Sequence, residues 1–402
     1  MGGDFSAIGT QTKRNLAAVN AITGASVNWN IQASSTVNAM VVSGSTLYLG
    51  GSFTVLQGQA RNRIAAIDLS SGNITSWDPN SNTTVSSLAL GNGVIFAGGS
   101  FATIGGASRS RIAQLDSSTG LATTWNPGAS GTVSALTLDG DGGTVYAGGS
   151  FQTIGSVART SVAALDSTSG AVTAWNPNVS SGSVTQIRID GGTIYIGGSF
   201  TTVGGQNRNR IAAVDALSGA VTPWNPNFGG TVSAISVSGV NIFAGGAFSS
   251  FRGLTRNRLA SFERGSGRLT TWNPGANSTV RSLFLSGNTL YVGGHFTNIN
   301  GQNRSAGAAF DLASGALLPW NPLVSGYVYT ITERYGVVYL VGEFFSAGGQ
   351  TRNWLAAVDA VTGALTSWDP NADGNPHSIL VNGSVVYVGG GFPPLVVKLG
   401  KS

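Results

Sequence analysis

Cysteine is absent from the 402 residues, which excludes disulfide staples, thiolate metal sites and cysteine nucleophiles. Histidine occurs twice, as His295 and His377, too few for a histidine-rich metal centre, and no metal is expected. Charged residues make up 9% of the chain against roughly a quarter in an average domain. Lysine is nearly missing, at 3 residues against 18 arginines. No apolar run approaches the ~18–20 residues of a membrane helix, so no membrane insertion is expected. The amino terminus lacks a basic stretch followed by an apolar one, the mark of a secretory signal.

What the chain does contain is glycine, 60 residues or about twice the average share, together with 41% hydrophobic residues. That much apolar material excludes a disordered chain, and glycine without a G-X-Y period excludes collagen. The glycines fall largely in a repeated Gly-Gly-x-Phe element. Its aromatic stands at Phe5, Phe53, Phe101, Phe151, Phe200, Phe248, Phe296, Phe344 and Phe392. A tryptophan follows each of the first eight at a constant distance: Trp29, Trp77, Trp125, Trp175, Trp224, Trp272, Trp320 and Trp368. The chain opens inside a repeat at Gly2-Gly3-Asp4-Phe5. That suggests a domain of a longer precursor and makes the loose myristoylation pattern there incidental.

Within a repeat the periodicity is that of strands. Thr231–Val237 alternates and turns at Ser-Gly, Asn241–Ala244 leads into Gly245-Gly246, and Arg258–Phe262 turns at Glu263–Gly267 into Arg268–Trp272. Two hairpins, hence four short strands, form the unit of a β-propeller blade. The expected fold is all-β: an eight-bladed β-propeller of four-stranded antiparallel blades, one domain over residues 1–402. Leu16–Val19 and Ser26–Trp29 would close the ring against the last two strands. Leu395–Leu399 looks like a competing third strand, and the sequence leaves the choice open.

The element Asp-x-x-(Ser/Thr)-Gly, as in Asp68–Gly72, predicts a hairpin turn with Asp capping amides and Gly left-handed. Tandem glycines are expected to allow close approach and to supply unusual φ angles. Eight residues after each Phe sits a base: Lys13, Arg61, Arg109, Arg159, Arg208, Arg256, Arg304 and Arg352. Fifteen after it sits Asn20, Asp68, Asp116, Asp166, Asp215, Glu263, Asp311 or Asp359. Seven residues of strand, on the order of 23 Å, separate the two sets, so bases and acids are expected on opposite faces. Two readings of the arginines stand side by side. They cap Asn-Pro carbonyls or cover an indole, or they form an annulus for an anionic polymer. Nucleic acid is not expected as a partner, because aromatics do not interleave with the arginines and lysine is scarce.

Ala357–Trp368, Ala-Val-Asp-Ala-Val-Thr-Gly-Ala-Leu-Thr-Ser-Trp, resembles the tryptophan-docking repeat of the eight-bladed quinoprotein dehydrogenases. Their quinone cofactor, calcium and Asp base are not matched by a vicinal cysteine pair or a long insertion here, and no cofactor is expected. The whole unit, carried almost complete by residues 197–227, resembles the delta-60 repeat. That is a family of mostly bacterial, secreted or surface-attached propellers. The resemblance implies an extracellular module and brings no catalytic residues.

Departures from the repeat mark candidate sites. The x of Gly-Gly-x-Phe is Ser in four copies but Asp4, Ala247, His295, Glu343 and Gly391 elsewhere. His295 and Glu343 are one blade apart, with Tyr327, Tyr329, Glu333, Arg334, Tyr335 and Trp354 expected near them. Rings for stacking and carboxylates for hydroxyls or amines would suit a sugar or peptide, although drift between repeats gives the same pattern. Asp139-Gly140-Asp141-Gly142-Gly143 superficially resembles a calcium loop but lacks the later bidentate acid. The expectation is a non-enzymatic extracellular binding or scaffold module for a glycan or protein partner. The alternative is a propeller enzyme acting on polysaccharide or a quinoprotein-like dehydrogenase.

Overall fold

Strand segments such as Val280–Ser286, buried at Val280 and half-buried from Ser282 onward, pair antiparallel with the segment that follows, so each repeat folds into an antiparallel sheet. The computed structural model describes residues 5, 7–27, 29, 31–251, 253–374 and 376–390. In the first sheet the inner strand Val37–Ser43 pairs with the middle strand Thr46–Gly51, which pairs with the third strand Ile64–Asp68. The same order recurs in the second to seventh sheets, with inner strands Val85–Gly91, Val133–Leu138, Val184–Asp190, Val232–Ser238, Val280–Ser286 and Tyr327–Arg334. The eighth combines Pro376–Asn382 and Val385–Gly390 with Leu16–Asn20 from near the start of the chain. Leu16 stands opposite Gly389 and Asn20 opposite Val385. Leu395–Leu399 lies outside the described residues.

Inner strands of neighbouring sheets touch, and that of the eighth touches that of the first. Between the fourth and fifth, Gln186 Nε2 donates to Ser233 O at 2.5 Å. Apolar clusters fill the spaces between sheets; Leu16, Ala18 and Tyr387 of the eighth pack on Leu47, Leu49 and Ile67 of the first. This is the architecture of a β-propeller. No helix among the described residues is long and apolar enough to cross a membrane.

The structure differs from the four-stranded expectation. The segment leading to each tryptophan makes a single bridge to the third strand, as between Ile67 and Ile74 or Val358 and Leu365. It then leaves the sheet, because its tryptophan docks on the next one. Trp77 Nε1 donates to Asp116 O at 2.8 Å, Trp175 to Asp215 O at 2.9 Å and Trp368 to Asn20 O at 2.8 Å. A second difference lies in the stretch read as a loop, which holds a short hairpin such as Val55–Leu56 with Gln59–Ala60.

The turns form as the sequence predicts. Asp68 Oδ1 accepts from Ser71 N at 2.8 Å and from the Ser70 and Ser71 hydroxyls, which hold its carboxyl at about 2. Gly72 follows with φ +73°, and a Cβ there would lie 2.4 Å from Trp29. The tandem glycines of the Gly-Gly-x-Phe element correct the expectation of unusual φ, whereas later pairs such as Gly105-Gly106 do adopt it. Gly51 has no positive φ, and it is needed because a Cβ would lie 2.0 Å from Thr36 O.

A feature not read from the sequence recurs ten residues after each Phe. Asn15, Arg63, Arg111, Ser161, Arg210, Arg258, Ala306 and Trp354 all have φ between 60° and 68°. Glycine would relieve that strain, yet at Asn15, Arg63, Arg111, Ser161 and Arg210 the side chain has work to do. Arg111 Nη1 donates to Ala129 O at 2.9 Å and Asn15 Nδ2 to Ala33 O at 2.8 Å, tying the sheet to the connection that follows.

Candidate functional site at the channel mouth

Every inner strand carries a β-bulge near its start, at the second residue or, in Tyr327–Arg334, the third, where the register slips by one. A bulge re-aims the extra side chain, which makes this ring of positions a natural place for specificity. Its members in the first seven sheets are Asn38, Ser86, Ser134, Thr185, Ser233, Arg281 and Tyr329. Five are small or amide residues, so the large polar groups among these seven gather in the sixth and seventh sheets.

A cavity of about 590 Å³ opens at this level. It is lined by Thr185 and Gln186, Thr231 to Ser233, Arg281, and Tyr329 with Thr330. These come from four consecutive sheets, so the space lies at the mouth of the central channel and not between two blades.

The edge of this cavity is where His295 and Glu343 meet the bulge residues. His295 stacks on Tyr327, with ring centroids 4.3 Å apart at 28°, and stands 5.7 Å from the Tyr329 ring. Arg281 Nε donates to His295 Nε2 at 3.4 Å. Tyr329 OH donates to Glu343 Oε2 at 2.8 Å. Burial pushes the His295 pKa down and the Arg281 charge adds to this, while Glu343 opposes them. His295 is therefore a neutral acceptor toward Arg281, with its proton on Nδ1.

Four expected members of the cluster, Glu333, Arg334, Tyr335 and Trp354, lie elsewhere, and this corrects the sequence reading. Tyr335 is six residues along the strand from Tyr329, roughly 20 Å away. It sits in the turn at the far end of the seventh sheet, 72% exposed, with the Arg334 guanidinium 5.1 Å from its ring. It borders a cleft of about 630 Å³ against Ile22, Val337 and Tyr339. Glu333 is held at that end too, accepting from Ser286 and from Gly336 N. Trp354 precedes the third strand and packs edge-on against Phe345, centroids 5.5 Å apart. Arg281 is the residue the sequence reading missed. Its only signal was a large charged residue at a position that is Asn, Ser or Thr in the first five sheets.

The repeated arginines serve the backbone. Arg159 Nη1 donates to Ala158 O at 2.9 Å and Nη2 to Thr173 O at 2.8 Å. Arg61, Arg109, Arg208, Arg256, Arg304 and Arg352 make the same two bonds. Lys13 Nζ reaches Trp29 O. The acceptor is the carbonyl two residues before the tryptophan, upstream of the Asn-Pro pair. Where the residue after Trp is Asp, an ion pair is added: Arg61–Asp78 at 3.8 Å and Arg352–Asp369 at 3.4 Å. Acids and bases are thus not divided cleanly between faces. Arg264 pairs with Asp190 at 3.0 Å on the other face.

The family described as outer membrane protein assembly factor BamB matches residues 51–273, more than half of the chain. The chain belongs to this family. The match supports a quinoprotein-like propeller, in keeping with the tryptophan-docking element, and does not extend to the delta-60 repeats. No curated protein matches the sequence. Among solved structures, the computationally designed Ika8 protein is similar in fold, with a TM-score of 0.63 at 14% identity, covering 93% of this chain and 97% of that one.

The quinone and calcium of quinoprotein enzymes do not fit the residues here. The lining of the channel-mouth cavity contains no carboxylate, and Glu343 at its edge is engaged by Tyr329. No group of three or more His, Asp or Glu side chains is placed to hold a metal among the described residues. Asp139 and Asp141 cap their own turn, accepting from Thr144 N and Gly143 N.

Proposed function

We propose that the protein is a non-catalytic binding module that holds a glycan or protein partner at the mouth of its channel. The observation that carries this is the one-sided gathering of Arg281, His295, Tyr327, Tyr329 and Glu343 beside a cavity of about 590 Å³. Near-equivalent sheets elsewhere make that side of the mouth the part with chemical individuality. In this reading the eight sheets are the blades of one closed ring, a single domain over residues 1–402. The delta-60-like unit supports an extracellular or cell-surface setting, and the family's description as an outer membrane protein assembly factor supports a binding role at the cell envelope. Cleavage of polysaccharide is less well supported. The usual hydrolytic mechanism needs two carboxyl groups across the bond, and the site offers only Glu343.

A glycan and envelope-protein binding screen tests the proposal, with Tyr329→Ala and Glu343→Ala run beside the parent chain. Binding lost in both variants, with unchanged melting temperature, is the expected result. A partner that binds both variants as tightly as the parent would place the site elsewhere.

A further inference from the structure

We infer that the channel mouth recognises an acidic saccharide, with the carboxylate of a uronic-acid unit received by Arg281. This rests on the binding-module reading above and names its ligand class.

The argument begins with the state of the guanidinium. The arginines of the repeat spend both terminal nitrogens on backbone carbonyls, as Arg159 does. Arg281 differs. Its Nε donates to His295 Nε2, and among the described residues it forms no ion pair. The Nη1 and Nη2 fork therefore remains available at the cavity it lines. A guanidinium fork matches a carboxylate in a bidentate manner, with two parallel N–H···O bonds. His295 fixes the near edge of the fork and stays uncharged in doing so. The acid of the cluster, Glu343, accepts from the Tyr329 hydroxyl and forms no ion pair with Arg281.

The remaining lining selects a sugar over an acidic peptide. Thr231 and Ser233 present hydroxyls and Gln186 its amide oxygen, its Nε2 being held by Ser233 O, and these groups suit ring hydroxyls. Tyr329 supplies an aromatic face at the same wall, and Val232 is the only aliphatic side chain in the lining, so a peptide side chain would find little to anchor it. The volume of about 590 Å³ lies within the ordinary range for small-ligand sites and accommodates one or two sugar units.

The test is calorimetric titration of the full chain with four probes: trigalacturonate, its methyl ester, neutral galactotriose and triglutamate. The expected result is binding of trigalacturonate, weakened roughly tenfold or more by esterification, and weakened further by salt. Arg281→Met should erase the difference between acid and ester, and Arg281→Lys should restore it only partly, because the fork is lost while the charge remains. Circular dichroism melting checks that both variants fold. Equal binding of acid and ester, or an acid preference that survives in Arg281→Met, overturns the inference. So does triglutamate binding as tightly as trigalacturonate. Galactotriose binding that depends on Tyr329 but not on Arg281 would overturn the acidic class while leaving the channel-mouth reading standing. No binding by any saccharide probe overturns the inference as well, and a protein partner lost on Tyr329→Ala would then keep the broader reading.

Discussion

Gln114 Nε2 donates to Ser167 O at 2.8 Å, and it does so because Phe96 beside it has no hydroxyl. In the first, third, sixth and seventh sheets a tyrosine at the position of Phe96 fills this role. Tyr48 OH donates to Ser117 O at 3.1 Å and Tyr291 OH to Ala360 O at 2.7 Å, each reaching the next sheet. Phe96 and Gln114 stand opposite each other across the strand pair, where the other repeats place Tyr or Phe against Ala or Ser. A buried bridge has thus moved from one side chain to its neighbour. Gln114→Ala should destabilise the protein by about 1–3 kcal/mol, and Phe96→Tyr in that background should recover part of the loss. Denaturant unfolding of the two single variants and the double variant measures the coupling.

The docked tryptophans are not energetically equal. Trp175 Nε1 bonds Asp215 O at 2.9 Å, whereas buried Trp224 Nε1 has no acceptor, at the sheet boundary where Glu263 replaces the repeat's Asp. Replacing either indole by Phe removes similar volume. Trp175→Phe should therefore cost about 1 kcal/mol more than Trp224→Phe, read as the difference in unfolding free energy.

The backbone role of the repeated arginines predicts a loss of stability without a loss of binding. Arg159→Met removes two charge-assisted bonds to Ala158 O and Thr173 O. A loss of about 1.5–3 kcal/mol per removed donor sets the upper scale, reduced by solvent at this part-exposed group. The melting temperature should fall while trigalacturonate affinity holds; lost affinity with unchanged melting would point to an anion-binding annulus instead.

The turn aspartates set the response to acid. Asp68 has its folded pKa at about 2, below the ordinary carboxylate range, because Ser70 and Ser71 hydrogen-bond its charged form; Asp116, Asp166, Asp215, Asp311 and Asp359 are lowered by equivalent bonds. A depressed carboxyl contributes stability that is fully present above the unfolded value and is lost as pH falls through the folded one. The melting temperature should thus decline between about pH 4 and pH 2. Asp68→Asn should flatten that decline slightly, and an unchanged slope would argue against the turn bonds as its source.

His295 gives a second, independent titration. Its lowered pKa means that the folded state favours the neutral ring, so its contribution is present above the unfolded value near 6.5 and is lost as pH falls. Removing the neighbouring cation with Arg281→Met should raise the pKa toward the ordinary value, and Glu343→Gln should lower it further. The imidazole proton shifts in an NMR titration report both changes.

The architecture was legible because its determinants repeat. Trp175 and Asp166 recur at fixed spacing, so one physical cause is visible many times over. The left-handed backbone at Arg63 or Ser161 was hidden, since neither side chain signals positive φ and the reason for each is a carbonyl in a distant connection. The site was half legible. His295 and Glu343 break a constant pattern, whereas Arg281 stands at a position that only the bulge turns toward the channel. Tyr335 and Trp354 were drawn into the cluster by closeness in sequence, although the length of one strand and the width of two separate them from it.

The pairing of Leu16–Asn20 with Val385–Gly390 has a consequence in time as well as in space. The first seven sheets can each form from local contacts, soon after their own residues meet. The eighth must bring together segments separated by nearly the whole chain, and the entropy of closing so long a loop is lost before any contact compensates for it. Its strands should be the last to gain protection from hydrogen exchange during refolding, and the first place where a partly folded molecule exposes a free edge.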